Sequence, residues 1–104
     1  MAKELNKEIM QAPVMRGHAD AEYNLGLCFF EGEGVKKDMV EAAKWFRKAA
    51  EQGHVGAQYY LAECYHSGDG VEKDMAEAVK WYRKAAEHGF KEAKDKLDNL
   101  EKGK

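Results

Sequence analysis

The chain has 104 residues, of which 17 are basic and 19 acidic, for a net charge of −2 at pH 7. That length holds one domain, and the interspersed, nearly balanced charge excludes the basic field that nucleic-acid binding requires. No apolar run reaches the roughly 20 residues of a membrane span, and the opening MAKELNKEIMQAP lacks the apolar stretch and small-residue cleavage site of a signal peptide.

In chain order, residues 1–16 read as an N-terminal capping segment. Leu5, Ile9 and Met10 fall at helical spacing, and Pro13 must end or kink that run because it has no backbone donor. A helix is then predicted over residues 19–31. Ala21, Leu25, Cys28, Phe29 and Gly32 lie at i, i+4, i+7, i+8 and i+11, one stripe that should face inward. Gly32-Glu33-Gly34 breaks the chain. A second helix opens at Asp38, with Glu41 three residues on, the spacing of a capping box. Ala42, Trp45, Phe46, Ala49 and Ala50 form its apolar stripe, which places Trp45 in the interior, and Gly53 stands where a helix ends.

Everything after Gly53 has been read once already. Residues 17–52 and 53–88 are one 36-residue unit written twice, identical at 21 paired positions. Ala57, Leu61, Cys64, Tyr65 and Gly68 reproduce the first stripe; Gly68-Asp69-Gly70 reproduces the turn. Asp74 and Glu77 reproduce the cap, and Ala78, Trp81, Tyr82, Ala85 and Ala86 the second stripe. A third copy begins at Gly89 and stops after one helix, expected over 92–100, with Ala93, Leu97 and Leu100 inward. Shifted by one period, Ile9 aligns with Trp45 and Met10 with Phe46, so residues 3–11 read as a degenerate second helix covering the front unit. Units this small cannot bury their apolar faces alone and must stack. The expected fold is all-α: a short α/α solenoid of two full helix-turn-helix units, 17–52 and 53–88, between the 1–16 segment and a C-terminal capping helix and tail at 89–104.

Ala21, Leu25-Gly26, Gly32-x-Gly34-Val35, Asp38, Ala42, Trp45, Arg47-Lys48-Ala49-Ala50 and Gly53 together resemble a Sel1-like repeat, a branch of the tetratricopeptide-type helical solenoids. The second unit repeats nearly all of them, with Ala62 in place of Gly26. The resemblance implies an adaptor that binds a protein or peptide on the concave face of the solenoid. A secreted branch of the family pairs two cysteines in each unit and is linked to penicillin binding; here each unit has one, Cys28 and Cys64. Equivalent atoms of stacked helices lie roughly 10 Å apart, beyond the about 7 Å that a disulfide spans between Cα atoms. Both cysteines therefore read as free, which fits a reducing, cytoplasmic location.

With Leu25 facing the core, Tyr23, Leu27 and Phe30 cluster on the opposite side, flanked by Asn24. The second unit places Tyr59, Glu63 and His66 there, flanked by Tyr60, and the third Asp95, Asn99 and Lys102. These residues are the candidate partner surface, with apolar anchors in the first unit and polar groups in the second. The other reading is that the amino-terminal helix folds over them. The four histidines show no metal-binding spacing, and the paired-glycine turns lack the strand and GK[ST] ending of a phosphate loop. Lys44, Arg47 and Lys48, with Lys80, Arg83 and Lys84, form a basic ridge balanced by Glu41, Glu51, Glu77 and Glu87. Ser67 ends a helix beside His66, in no position to be activated by it, so no enzyme, cofactor or metal site is expected. The alternatives are a hydrolase or β-lactam-binding protein like the secreted branch, and a scaffold that self-associates through exposed solenoid ends as a homo-oligomer.

Overall fold

The fold was taken from a computed structural model that describes residues 15–102. Five helices follow one another: α1 Met15–Glu31, α2 Met39–Glu51, α3 Val55–Ser67, α4 Met75–Glu87 and α5 Lys91–Lys102. Each packs chiefly on its neighbours in sequence. The described residues contain no strand. The capping segment expected over residues 3–11 lies outside them.

The ends of the helices follow from their local chemistry. Asp38 is extended, and its carboxylate accepts from the backbone N–H groups of Val40 and Glu41 at 3.0 and 3.1 Å. Asp74 does the same for Glu77 at 3.2 Å. Each meets donors that the first helical turn leaves unpaired. The N–H of Asp38 donates to the Phe29 carbonyl at 2.9 Å, and that of Asp74 to Tyr65 at 3.0 Å, which folds each second helix back against the first. Gly53 and Gly89 end α2 and α4 at φ of +96° and +89°, a conformation glycine adopts at little cost. α3 begins at Val55 because the imidazole of His54 accepts from the Ala57 N–H at 3.1 Å. Its counterpart His18 lies inside α1 and contacts Glu22 at 2.8 Å instead, and α1 begins ahead of the expected residue 19.

The core runs along the seam between the two layers of helices. Phe46, Leu61, Cys64 and Tyr82 are its largest fully buried side chains, set among the alanines of α2, α3 and α4. Gly26 lets α1 approach α2: a Cβ there would stand 2.7 Å from the Phe46 ring.

Two expectations require correction. The stripe of α1 faces the core only in part: Phe29 packs against it and Cys28 is half-buried, but Leu25 is 40% exposed and Ala21 is exposed, whereas Glu22 is only 4% exposed. The same stripe in α3 is buried at Ala57, Leu61 and Cys64. α3 is sandwiched between α2 and α4, so two of its faces meet protein. Among the described residues α1 has a neighbour on one side only, and the face holding Leu25 is the one that α3 turns toward the preceding unit. Second, only Trp81 is buried; Trp45 is half-exposed. Two lysines, Lys80 and Lys84, lie over the Trp81 ring at 5.4 and 5.8 Å, against the single Lys48 at 5.3 Å over Trp45.

Candidate functional site

The first helices of the units carry a run of aromatic rings on their side away from Leu25. Tyr23 stacks on His54 with centroids 4.3 Å apart and meets Phe46 and Tyr60 at 6.0 Å each. Phe30 sets its edge to Phe46 and Tyr60, and Tyr60 stacks flat on Phe46 at 5.2 Å. The run continues through Tyr59, which touches Tyr60, Tyr82 and Phe90. Edge and offset contacts of this kind are the favoured geometries for aromatic pairs. Because they cross from one unit to the next, the rings form a joint as well as a surface.

Of the sequence candidates, Tyr23, Leu27, Phe30, Tyr59 and Tyr60 are half-buried and pack against the core while keeping part of their surface open; Glu63 and His66 are also half-buried, and Asn24 is exposed. The cover over Tyr23 and Phe30 among the described residues comes from Phe46, His54 and Tyr60. Asp95, Asn99 and Lys102 are exposed on α5.

Glu63 organises the polar end. It accepts a hydrogen bond from the Tyr82 hydroxyl at 2.7 Å and pairs with Lys96 at 3.2 Å. Burial, reinforced by this carboxylate, pushes the Tyr59 phenol up to about 12 and raises that of Tyr82 further. Burial likewise raises Tyr23, helped by Tyr60 and Glu31. All three phenols are thus held as neutral hydroxyl groups. His66 lies edge-on to Tyr82 at 6.4 Å.

Sequence reasoning missed His54, Phe90, Lys96 and the buried Glu22. His18, His54 and Phe90 occupy one repeat position, and Asn24, Tyr60 and Lys96 another; carrying the period into the third copy at those positions finds Phe90 and Lys96. Glu22 gave no such signal. It is held by Gln52, whose amide donates to it at 2.6 Å, and by His18. His54 also bridges units. Its Nδ1 accepts from Ala57, so the proton rides on Nε2, which faces Asp20 of α1 at 3.0 Å.

The basic ridge is largely paired: Lys44 with Glu41, Arg47 with Glu51, Lys80 with Glu77 and Arg83 with Glu101, at 3.7–4.0 Å. Arg47 also donates to the Tyr65 hydroxyl across the joint. Cys28 is half-buried and Cys64 buried, both free thiols. Among the described residues, no three His, Cys, Asp or Glu side chains gather as a metal set, and no helix is long and apolar enough to cross a membrane.

Comparison with known proteins agrees with this architecture. The family model for the Sel1 repeat matches residues 19–54 and 55–90. A Sel1 repeat protein from Oxalobacter formigenes is 40% identical, with a TM-score of 0.77 over 78% of this chain and 61% of that one. The protective antigen c5321 of uropathogenic Escherichia coli, which displays an SLR fold, is 44% identical, with a TM-score of 0.79 over 84% of this chain and 19% of its own. Helicobacter pylori cysteine rich protein B is 30% identical, with a TM-score of 0.72 over 76% of this chain and 59% of that one. The chain therefore spans less than two thirds of each of these structures. No curated protein matches it. Two tandem family matches, on helices that pair and turn as this chain's do, place it in the Sel1 repeat family.

Proposed function

We propose that the chain is a protein-interaction module and that Tyr23, Asn24, Leu27, Phe30, Tyr59, Tyr60, Glu63 and His66 form its partner surface. The observation that carries this reading is the half-buried aromatic run. Its rings are fixed by one another, so a partner meets preset apolar anchors and little side-chain freedom is lost on binding. Neutral phenol groups add hydrogen-bond donors, and Glu63 adds a charge that favours a basic group opposite it. A protein or peptide segment with apolar side chains and a basic residue fits this surface. Two free cysteines support a cytoplasmic location; a Cys28–Cys64 bridge in the isolated protein would argue against it.

The test is selection of peptides on the immobilised protein, followed by substitution. Leu27→Glu should lower the affinity of a selected peptide by about tenfold or more, with the helical circular dichroism unchanged. Lys36→Glu, in the exposed turn, should leave binding intact. Equal loss in both variants, or loss in neither, would move the surface elsewhere.

A further inference from the structure

Two joints of the same design are filled by different residues at one repeat position. His54 stands at the first and Phe90 at the second, one period on. Each ring packs on the tyrosine of the preceding unit: His54 on Tyr23 at 4.3 Å, Phe90 on Tyr59 at 4.9 Å. A second position changes in step. Asp20, which meets His54 Nε2 at 3.0 Å, has Gly56 as its counterpart one unit later. The helix starts differ as well. The Ala57 N–H of α3 donates to His54 Nδ1 at 3.1 Å, whereas that of its counterpart Ala93 in α5 donates to the Phe90 carbonyl at 3.1 Å. A titratable ring and a carboxylate thus serve the first joint, where a hydrocarbon ring and a glycine serve the second.

The contacts of the first joint require a neutral imidazole. Nδ1 must be bare to accept from Ala57, and Nε2 must carry the proton that faces Asp20. A further proton, taken from solvent, would sit on Nδ1 and set donor against donor at Ala57. Asp20 holds the Nε2 proton in either state, so Nδ1 is the atom whose role changes. The ring has little room to turn in place. It closes over Gly56, where a Cβ would stand 3.2 Å from both His54 Cε1 and the Tyr23 hydroxyl. The groups around it are few. α1 supplies Asp20 and Tyr23, and α3 the Ala57 N–H. α2 supplies the Ala49 carbonyl, which accepts from the His54 backbone N–H at 3.1 Å, while Glu51 at its end is turned to Arg47. Among the described residues Asp20 alone pairs with the imidazole as a charged side chain.

We propose that His54 makes the first joint pH-responsive and that the second joint does not respond. Protonation of Nδ1 releases the cap of α3 and moves the imidazole off Tyr23, while the Asp20 contact keeps the ring tethered to α1. In acid the start of α3 and the first unit's end of the aromatic run are loosened; Phe90 and Tyr59 stay as they are. The device rests on the joint's own geometry and holds whether or not Tyr23 meets a partner.

The experiment is an NMR titration of the labelled full chain from about pH 8 to about pH 5, the range in which histidines change charge. The Ala57 amide and the Tyr23 ring resonances should move on the same curve as the His54 ring. Protection of the Ala57 amide against exchange, corrected for the intrinsic effect of pH, should fall by about three- to tenfold, the size of a lost cap. Ala93 and Tyr59 should show neither change. In His54→Asn, whose amide oxygen caps a helix without titrating, Ala57 should keep its position and protection throughout. An Ala57 amide or a Tyr23 ring that stays still while His54 titrates would overturn the proposal. So would an Ala57 response that survives in His54→Asn, or an equal response at Ala93. Should His54→Asn not fold, the comparison of Ala57 with Ala93 in the wild type decides alone.

Discussion

Gly34 and Gly70 hold the same turn position at φ +74° and +75°, yet their surroundings differ completely. Nothing lies within 4 Å of a Cβ built on Gly34, whereas one on Gly70 would strike the backbone of α2. Gly34→Ala should therefore cost only the left-handed backbone strain, about 1–2 kcal/mol. Gly70→Ala carries that strain and also forces the joint apart, so its cost should be clearly larger. Urea unfolding of the two variants measures both; equal losses would mean that the second turn does not seat on α2. Glu22 makes the complementary point for polar groups. Its carboxylate is buried but held by Gln52 and His18, and a buried charge is tolerated when it is paired and hydrogen-bonded.

α3 carries two groups whose protonation is tied to folding, Cys64 and Tyr59. Burial pushes the Cys64 thiol from 9.0 up to about 12, with Asp69 and Glu63 adding to it, and Tyr59 is pushed from 10.0 to about 12. The sign is that of a proton held more tightly in the fold. Below pH 9 both states keep these protons and the contribution is constant. Above it the unfolded chain releases them while the folded chain does not, so stability falls between about pH 9 and pH 12. The melting temperature should decline over that window, less steeply in Cys64→Ala than in the wild type. Equal slopes would place Cys64 in contact with water.

The same helix shows how far the sequence could be read. The 3.6-residue period, the Asp caps and the terminal glycines gave element type and order, because each is a local property of the chain. The stripe of α1 was misread for a reason that is not local. Leu25 and Leu61 are the same residue at the same repeat position, and among the described residues only Leu61 has a preceding unit to bury it. The side opposite Leu25 was legible as a cluster of Tyr23, Leu27 and Phe30. Its partial cover by His54 and Tyr60 was not, since those contacts join residues roughly 30 or more apart and depend on how the units stack.

At the scale of the whole molecule, contacts between sequence neighbours make stability a sum of units and joints. α3 packs on both sides, and α5 on one side only among the described residues. Amide exchange should accordingly be slowest in α3 and fastest in α5, with α4 between them; uniform protection across the three would show a single cooperative block.

The seating of Gly70 on the Met39 carbonyl bears on the pitch of the superhelix. Main chain meets main chain there, so at this point no side chain acts as a spacer between consecutive units. The gauge that sets their separation at the turn is the thickness of the polypeptide itself. Core positions can then differ between units, as Phe46 differs from Tyr82 and Gly26 from Ala62, without the step from one unit to the next having to change.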